Sequence, residues 1–255
     1  MSSSVVVWGL GQLGGVFARG LLRTGNAVHP ILRDSDVDQC AEQWADPKLV
    51  LIAVGERELP QVLRQVPATW RERVALLQNE LLPATWRDAL PGTPTVCVVW
   101  FEKRPTSEVR VVLPSVCYGP GAELLSAALQ ALAIPNRVVN DVTDLHFELA
   151  LKNLYILTLN CAGLAAEGDV GTLWRTQPIT RQIAREICQL QAALLAEPLS
   201  EERLLAGLEQ AILADPSHAA RGRFAAERLQ RSLTHADRLG LALPTLKALA
   251  KGLSH

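Results

Sequence analysis

Residues 5–15 read Val5-Val6-Val7-Trp8-Gly9-Leu10-Gly11-Gln12-Leu13-Gly14-Gly15. The apolar, β-branched run from Val5 to Trp8 predicts a buried strand, and the glycines after it predict a tight turn into a helix beginning near Gln12. Gly9 allows the turn, Gly11 lets the backbone approach a pyrophosphate, and Gly14 lets the helix lie close to the sheet. The free N–H groups and positive dipole end of that helix would then face phosphates. Val16, Phe17, Leu21 and Leu22 recur at helical spacing, Gly25-Asn26 ends the helix, and Ala27 to Leu32 forms a second strand. This is the opening of a Rossmann-type dinucleotide-binding domain, with Gly9, Leu10, Gly11, Gln12, Leu13 and Gly14 as cofactor contacts. A glycine-rich turn without a ligand is the bland alternative, and the elements on both sides weigh against it.

At the end of such a second strand a carboxylate usually accepts the ribose hydroxyls of NAD, whereas an arginine pairs with the 2′-phosphate of NADP. Arg33 stands at that place, so NADP is the expected cofactor. Asp34 and Asp36 follow and offer alternative ribose contacts; a solvated loop of mixed charge is the other reading.

The chain has 255 residues, 49% of them apolar, enough for one large domain or two ordinary ones. Its 25 Lys and Arg nearly balance 26 Asp and Glu, which disfavours nucleic acid and membrane surfaces as partners and favours a small-molecule substrate or a second copy of the chain. Cys40, Cys97, Cys117, Cys161 and Cys188 are scattered without a metal-ligand spacing and read as reduced, mostly buried thiols, with no metal site. No apolar run approaches the length of a membrane span, and Met1-Ser2-Ser3-Ser4 leads into the first strand without a basic segment, so a cytoplasmic protein is expected.

Further along, 48–54, 74–78 and 95–100 read as strands and 58–66 as a helix, the pattern of a parallel sheet covered on both faces. The runs 109–113 and 115–118 read as antiparallel additions, followed by a helix over 122–132 and a strand over 137–139. From about Asp141 onward only helical periodicities remain, over 142–165, 178–196, 200–213, 218–239 and 244–252. The expected architecture is therefore α/β: a dinucleotide-binding domain over 1–141 and an all-helical substrate and dimerisation domain over 142–255. Substrates of such proteins usually bind in a cleft between two domains. The apolar helices from 178 to 239 suit pairing with another copy, as a homodimer.

The helical half opens with Glu148-Leu149-Ala150-Leu151-Lys152-Asn153-Leu154-Tyr155-Ile156-Leu157-Thr158-Leu159-Asn160. A lysine in so apolar a setting suits a proton donor to a carbonyl oxygen that receives a hydride. It equally suits a lysine that snorkels at the rim of a buried helix.

The chain resembles the ketopantoate reductases (2-dehydropantoate 2-reductases), two-domain enzymes that use NADPH to reduce a 2-oxo group. The resemblance rests on the glycine turn, Arg33, the asparagine of Gln78-Asn79, Lys152 with Asn160 beyond it, and the run Val170-Gly171-Thr172-Leu173, Pro178 and Glu186. It implies Lys152 as general acid, Asn79 as a contact to the nicotinamide or substrate, and Asn160 as a substrate contact. Near the C-terminus it points to Ser217 for substrate and Glu227 for catalysis, although Ala226 stands where the family has threonine.

Other departures have a direction. Ile156 and Val170 stand where the family has asparagines, Gly55-Glu56 where it has a lysine, and Val99-Trp100-Phe101-Glu102-Lys103 where it has a threonine-rich stretch. Each lost hydrogen bond removes about 0.5–1.5 kcal/mol. A bulkier or less polar carbonyl or imine substrate is implied, with Trp100 and Tyr155 either lining its pocket or packing in the core. The expected function is NADP-dependent hydride transfer to a small 2-oxo acid or related compound. The alternatives are an NADP-binding sensor or scaffold without turnover, or a 3-hydroxy acid dehydrogenase.

Overall fold

Val5 to Val7 and Leu49 to Ile52 are almost wholly inaccessible on both faces, which a parallel sheet covered on both sides explains. The computed structural model describes residues 4–222 and 224–253. Met1-Ser2-Ser3, expected to lead into the first strand, lies outside the described residues. The chain divides into two units, residues 1–145 and 146–255.

In the first unit the elements run β1 (Ser4–Trp8), α1 (Gln12–Arg23), β2 (Ala27–Ile31), α2 (Val37–Gln43), β3 (Leu49–Ile52), α3 (Leu59–Gln65), β4 (Val74–Leu76), β5 (Thr95–Val98), β6 (Phe101–Glu102), β7 (Arg110–Val111), β8 (Ser115–Tyr118), α4 (Ala122–Gln130) and β9 (Asn136–Val139). The main sheet has the order β2-β1-β3-β4-β5-β8-β9. All its pairings are parallel except β5 with β8. One face buries Val5, Val7, Leu49 and Leu51 against Phe17 and Leu21 of α1 and Leu125 and Leu129 of α4.

Two expectations need correction here. The run 109–113 does not extend the main sheet: β7 pairs with β6 in a separate ribbon. The strand expected over 95–100 stops at Val98 because the Trp100 N–H donates to the Ser115 hydroxyl at 3.0 Å, while the Trp100 carbonyl accepts from Val112 and Leu113. The stretch 33–36 is a solvent-facing turn, and its Asp36 carboxylate accepts the N–H groups of Asp38 and Gln39 and so caps α2.

The second unit contains most of α5 (Val142–Ala165), then α6 (Val170–Thr176), α7 (Pro178–Leu195), α8 (Glu201–Ala214), α9 (Ala225–Arg238) and α10 (Pro244–Gly252). Glu186 on α7 ties this unit together, because its two oxygens accept the N–H groups of Thr245 (2.7 Å) and Leu246 (3.0 Å) at the head of α10. The helix expected from 218 begins instead at Ala225. Pro216 and His218 direct their carbonyls to the N–H groups of Gly171 and Val170, both at 2.9 Å, so this stretch serves the start of α6 and is not helical. Asp169 caps the same helix through the Thr172 N–H, and that bond, with a second from the Thr172 side chain, holds the Asp169 carboxyl below its ordinary range.

None of the five cysteines is in a disulfide; four are buried and Cys40 is half-buried. No helix among the described residues is long and apolar enough to cross a membrane.

Candidate functional site

β1 lies between β2 and β3, so the chain's progression through the sheet reverses at that point. Ligands of open α/β sheets bind outside the carboxyl ends of the strands at such a reversal. A cavity of about 940 Å³ lies there, with Gly9, Leu10, Gly11, Arg33, Gly55 and Glu58 among its lining residues.

The glycine turn lines it. Gly9 has φ +96°, a conformation that L side chains rarely adopt, and its N–H donates to the Ile31 carbonyl at 3.0 Å. A methyl on Gly14 would overlap the Gly9 carbonyl oxygen, so glycine there is required by the protein's own backbone. Gly11 differs, because a Cβ built on it meets nothing within 4 Å. It would project into open space beside the cavity, where a ligand's pyrophosphate would need to lie. Gly11 also occupies the N-cap of α1 and supplies no side-chain acceptor, and the first turn carries no acid. The N–H groups of Gln12, Leu13 and Gly14 and the helix dipole therefore suit an anion. The residues present fit a dinucleotide.

Arg33 follows β2 and lines the cavity with its side chain 93% exposed; its Nη2 lies 3.9 Å from Oε1 of Glu58. Of the two acids weighed beside it for ribose, Asp36 uses its carboxylate on α2, and Asp38, not Asp34, lines the cavity. Glu58 went unremarked in the sequence. It enters from the β3–α3 connection, and its Oε2 accepts the Gly55 N–H at 3.1 Å. The available signal was an acid three residues after Gly55, in the loop that follows β3, a spacing at which a carboxylate can hold a loop N–H.

Asn79 is exposed on the turn after β4 and is not among the residues lining this cavity. Its neighbour Gln78 is committed to the sheet, donating to the Ile52 carbonyl at 2.7 Å and the Val54 carbonyl at 3.3 Å.

The remaining candidates belong to the helical unit. Lys152 is half-buried on α5, with Nζ 5.6 Å from the centre of the Tyr155 ring. Leu149, Leu151 and Leu154 around it are buried. The Asn160 amide is engaged on both sides, Nδ2 donating to the Ile156 carbonyl at 2.8 Å and Oδ1 accepting from Nη1 of the buried Arg228 at 3.3 Å. Arg228 is a second residue that the sequence reading passed over, since an arginine on an amphipathic helix ordinarily faces solvent. Ser217, on the turn between α8 and α9, and Glu227, in the first turn of α9, are both exposed. Tyr155 and Trp100 are buried, as are Ile156 and Val170. No group of three or more His, Cys, Asp or Glu suited to a metal occurs among the described residues.

No family model matches the chain, and no curated protein matches it by sequence. Solved structures do. A PanE/ApbA family ketopantoate reductase from Ralstonia eutropha JMP134 is 18% identical with a TM-score of 0.66, over 98% of this chain and 96% of that one. A 2-dehydropantoate 2-reductase from Methylococcus capsulatus is 15% identical with a TM-score of 0.71, over the same shares. A D-mandelate dehydrogenase in complex with NADH is 16% identical with a TM-score of 0.67, again over 98% and 96%. The fold of this chain is that of the ketopantoate reductase structures, over 98% of its residues.

Proposed function

We propose that the protein is an NADP-dependent reductase of a small 2-oxo acid or a related carbonyl compound. The observation that carries this reading is the Gly11 position, where glycine is demanded by no protein atom and the uncapped helix α1 begins beside the cavity. The likeness in fold to ketopantoate reductases and to a D-mandelate dehydrogenase that holds NADH supports a nicotinamide cofactor and a 2-oxo acid substrate class.

The glycine turn and the N–H groups of Gln12, Leu13 and Gly14 bind the pyrophosphate, and Arg33 pairs with the 2′-phosphate. The bound cofactor supplies hydride to the carbonyl carbon. Lys152 donates a proton from Nζ to the carbonyl oxygen as that oxygen takes on negative charge. Asn79, exposed beyond β4, is the amide proposed to steady the nicotinamide or substrate.

The test is NADPH oxidation with a panel of 2-oxo acids, graded from small polar to bulky apolar, in wild type and Lys152→Ala. Turnover on at least one member, lost in the variant with nucleotide affinity retained, supports the assignment; unchanged turnover in the variant removes Lys152 as the acid. A second reading, a nucleotide-binding protein without turnover, draws on Ile156 and Val170, which bury apolar side chains where the family offers amides. Tight NADPH binding with no turnover across the panel would favour it.

A further inference from the structure

Arg33 and Glu58 reach the same part of one cavity from different strands: Arg33 follows β2, Glu58 follows β3, and β1 with its glycine turn ends between them. Glu58 is not loosely placed, because Oε2 is held by the Gly55 N–H at 3.1 Å while Oε1 lies 3.9 Å from the Arg33 guanidinium. Both side chains are open to solvent, 93% and 55% exposed, so the pair itself is weak and an arriving ligand can part it.

The two groups act in opposite directions on the two nicotinamide cofactors. A 2′-phosphate carries only acceptors, so it is drawn to Arg33 and repelled by a carboxylate beside it. A bare ribose offers hydroxyl donors, which a carboxylate accepts. We propose that Glu58 is a specificity-determining residue that restrains the 2′-phosphate preference of Arg33 and accepts the ribose hydroxyls of NADH, so that the site takes both cofactors. This rests on the nucleotide reading above. Asp36, one of the two acids that follow Arg33 in the sequence, is spent on the N–H groups of Asp38 and Gln39. Asp38 also lines the cavity and supplies the control.

Calorimetric titration of NADPH, NADH and 2′,5′-ADP into wild type, Glu58→Gln, Asp38→Asn and Arg33→Ala at low ionic strength tests the proposal. Glutamine keeps an oxygen for the Gly55 N–H and removes the charge. Wild type is expected to bind the two cofactors with Kd values within about tenfold of each other. Glu58→Gln is expected to tighten NADPH and 2′,5′-ADP by roughly two- to fivefold and to weaken NADH by a similar factor, with the gain for NADPH fading as salt rises. Asp38→Asn is expected to change neither ratio. A Glu58→Gln protein with wild-type affinities for all three ligands, or the same shift produced by Asp38→Asn instead, overturns the proposal while leaving the nucleotide reading in place. A wild type that binds none of the three removes both.

Discussion

Gly14 lies so close to Gly9 that a methyl group on Gly14 would overlap the Gly9 carbonyl oxygen, whereas a methyl on Gly11, two residues beyond Gly9, meets no protein atom. Glycines of one motif thus have different surroundings, and substitution separates them. Gly14→Ala is expected to lower stability by about 1–3 kcal/mol, since backbone cannot move aside as a side chain can. Gly11→Ala is expected to cost less than about 1 kcal/mol but to weaken NADPH binding roughly tenfold or more. Thermal melts and calorimetry on the two variants read the difference; equal loss of stability in both would mean that Gly11 is structural.

Arg33 makes only a distant ion pair and is almost fully exposed, so nothing in the fold depends on it. Arg33→Ala should leave the melting temperature unchanged. A charge-assisted bond to phosphate is worth about 1.5–3 kcal/mol, so NADPH affinity should fall roughly ten- to hundredfold while NADH affinity changes by less than about threefold. Equal losses for both cofactors would remove the 2′-phosphate role.

Asn160 was expected to contact substrate, yet both ends of its amide are used inside the helical unit, on Ile156 and Arg228. Asn160→Ala leaves a buried guanidinium without that acceptor, a loss of roughly 1–3 kcal/mol. Urea unfolding should register it, with nucleotide affinity unaltered. A variant of wild-type stability with a raised KM for the carbonyl substrate would return Asn160 to the substrate.

What the sequence made legible was local. The glycine turn, the strands beside it and the whole of α5 follow from residues within one or two turns of each other, and the helix expected over 142–165 is found over Val142–Ala165. What escaped depends on distant partners. The stretch 218–222 has helical composition, but Pro216 and His218 give their carbonyls to the head of α6, which is itself only a seven-residue helix. Asp36 resembled a ribose ligand because an Asx cap and a ligand carboxylate look alike in one dimension. Glu58 acquires meaning only once β3 lies beside β1 and brings it to Arg33, 25 residues earlier in the chain.

Buried thiols add a dependence on alkaline pH. Burial, and then the nearby Glu201 carboxylate, push the Cys188 thiol up to about 12 from an ordinary 9.0. Its hydrogen bond with Cys117, 3.6 Å away, and burial also push Cys97 well up. Below the ordinary value both folded and unfolded chains keep these protons, so their contribution to stability is complete. Above it the unfolded chain ionises while the folded chain cannot, and stability drains away until the folded thiol itself ionises. The urea midpoint should therefore be level from about pH 7 to 8.5 and fall from about pH 9 towards 12. Cys188→Ala should start lower, by about 1 kcal/mol for the small cavity, and fall less steeply over that window. Because lysines and tyrosines titrate in the same range, the informative quantity is the difference between the two slopes. Parallel curves would show that burial of Cys188 contributes nothing to the alkaline loss.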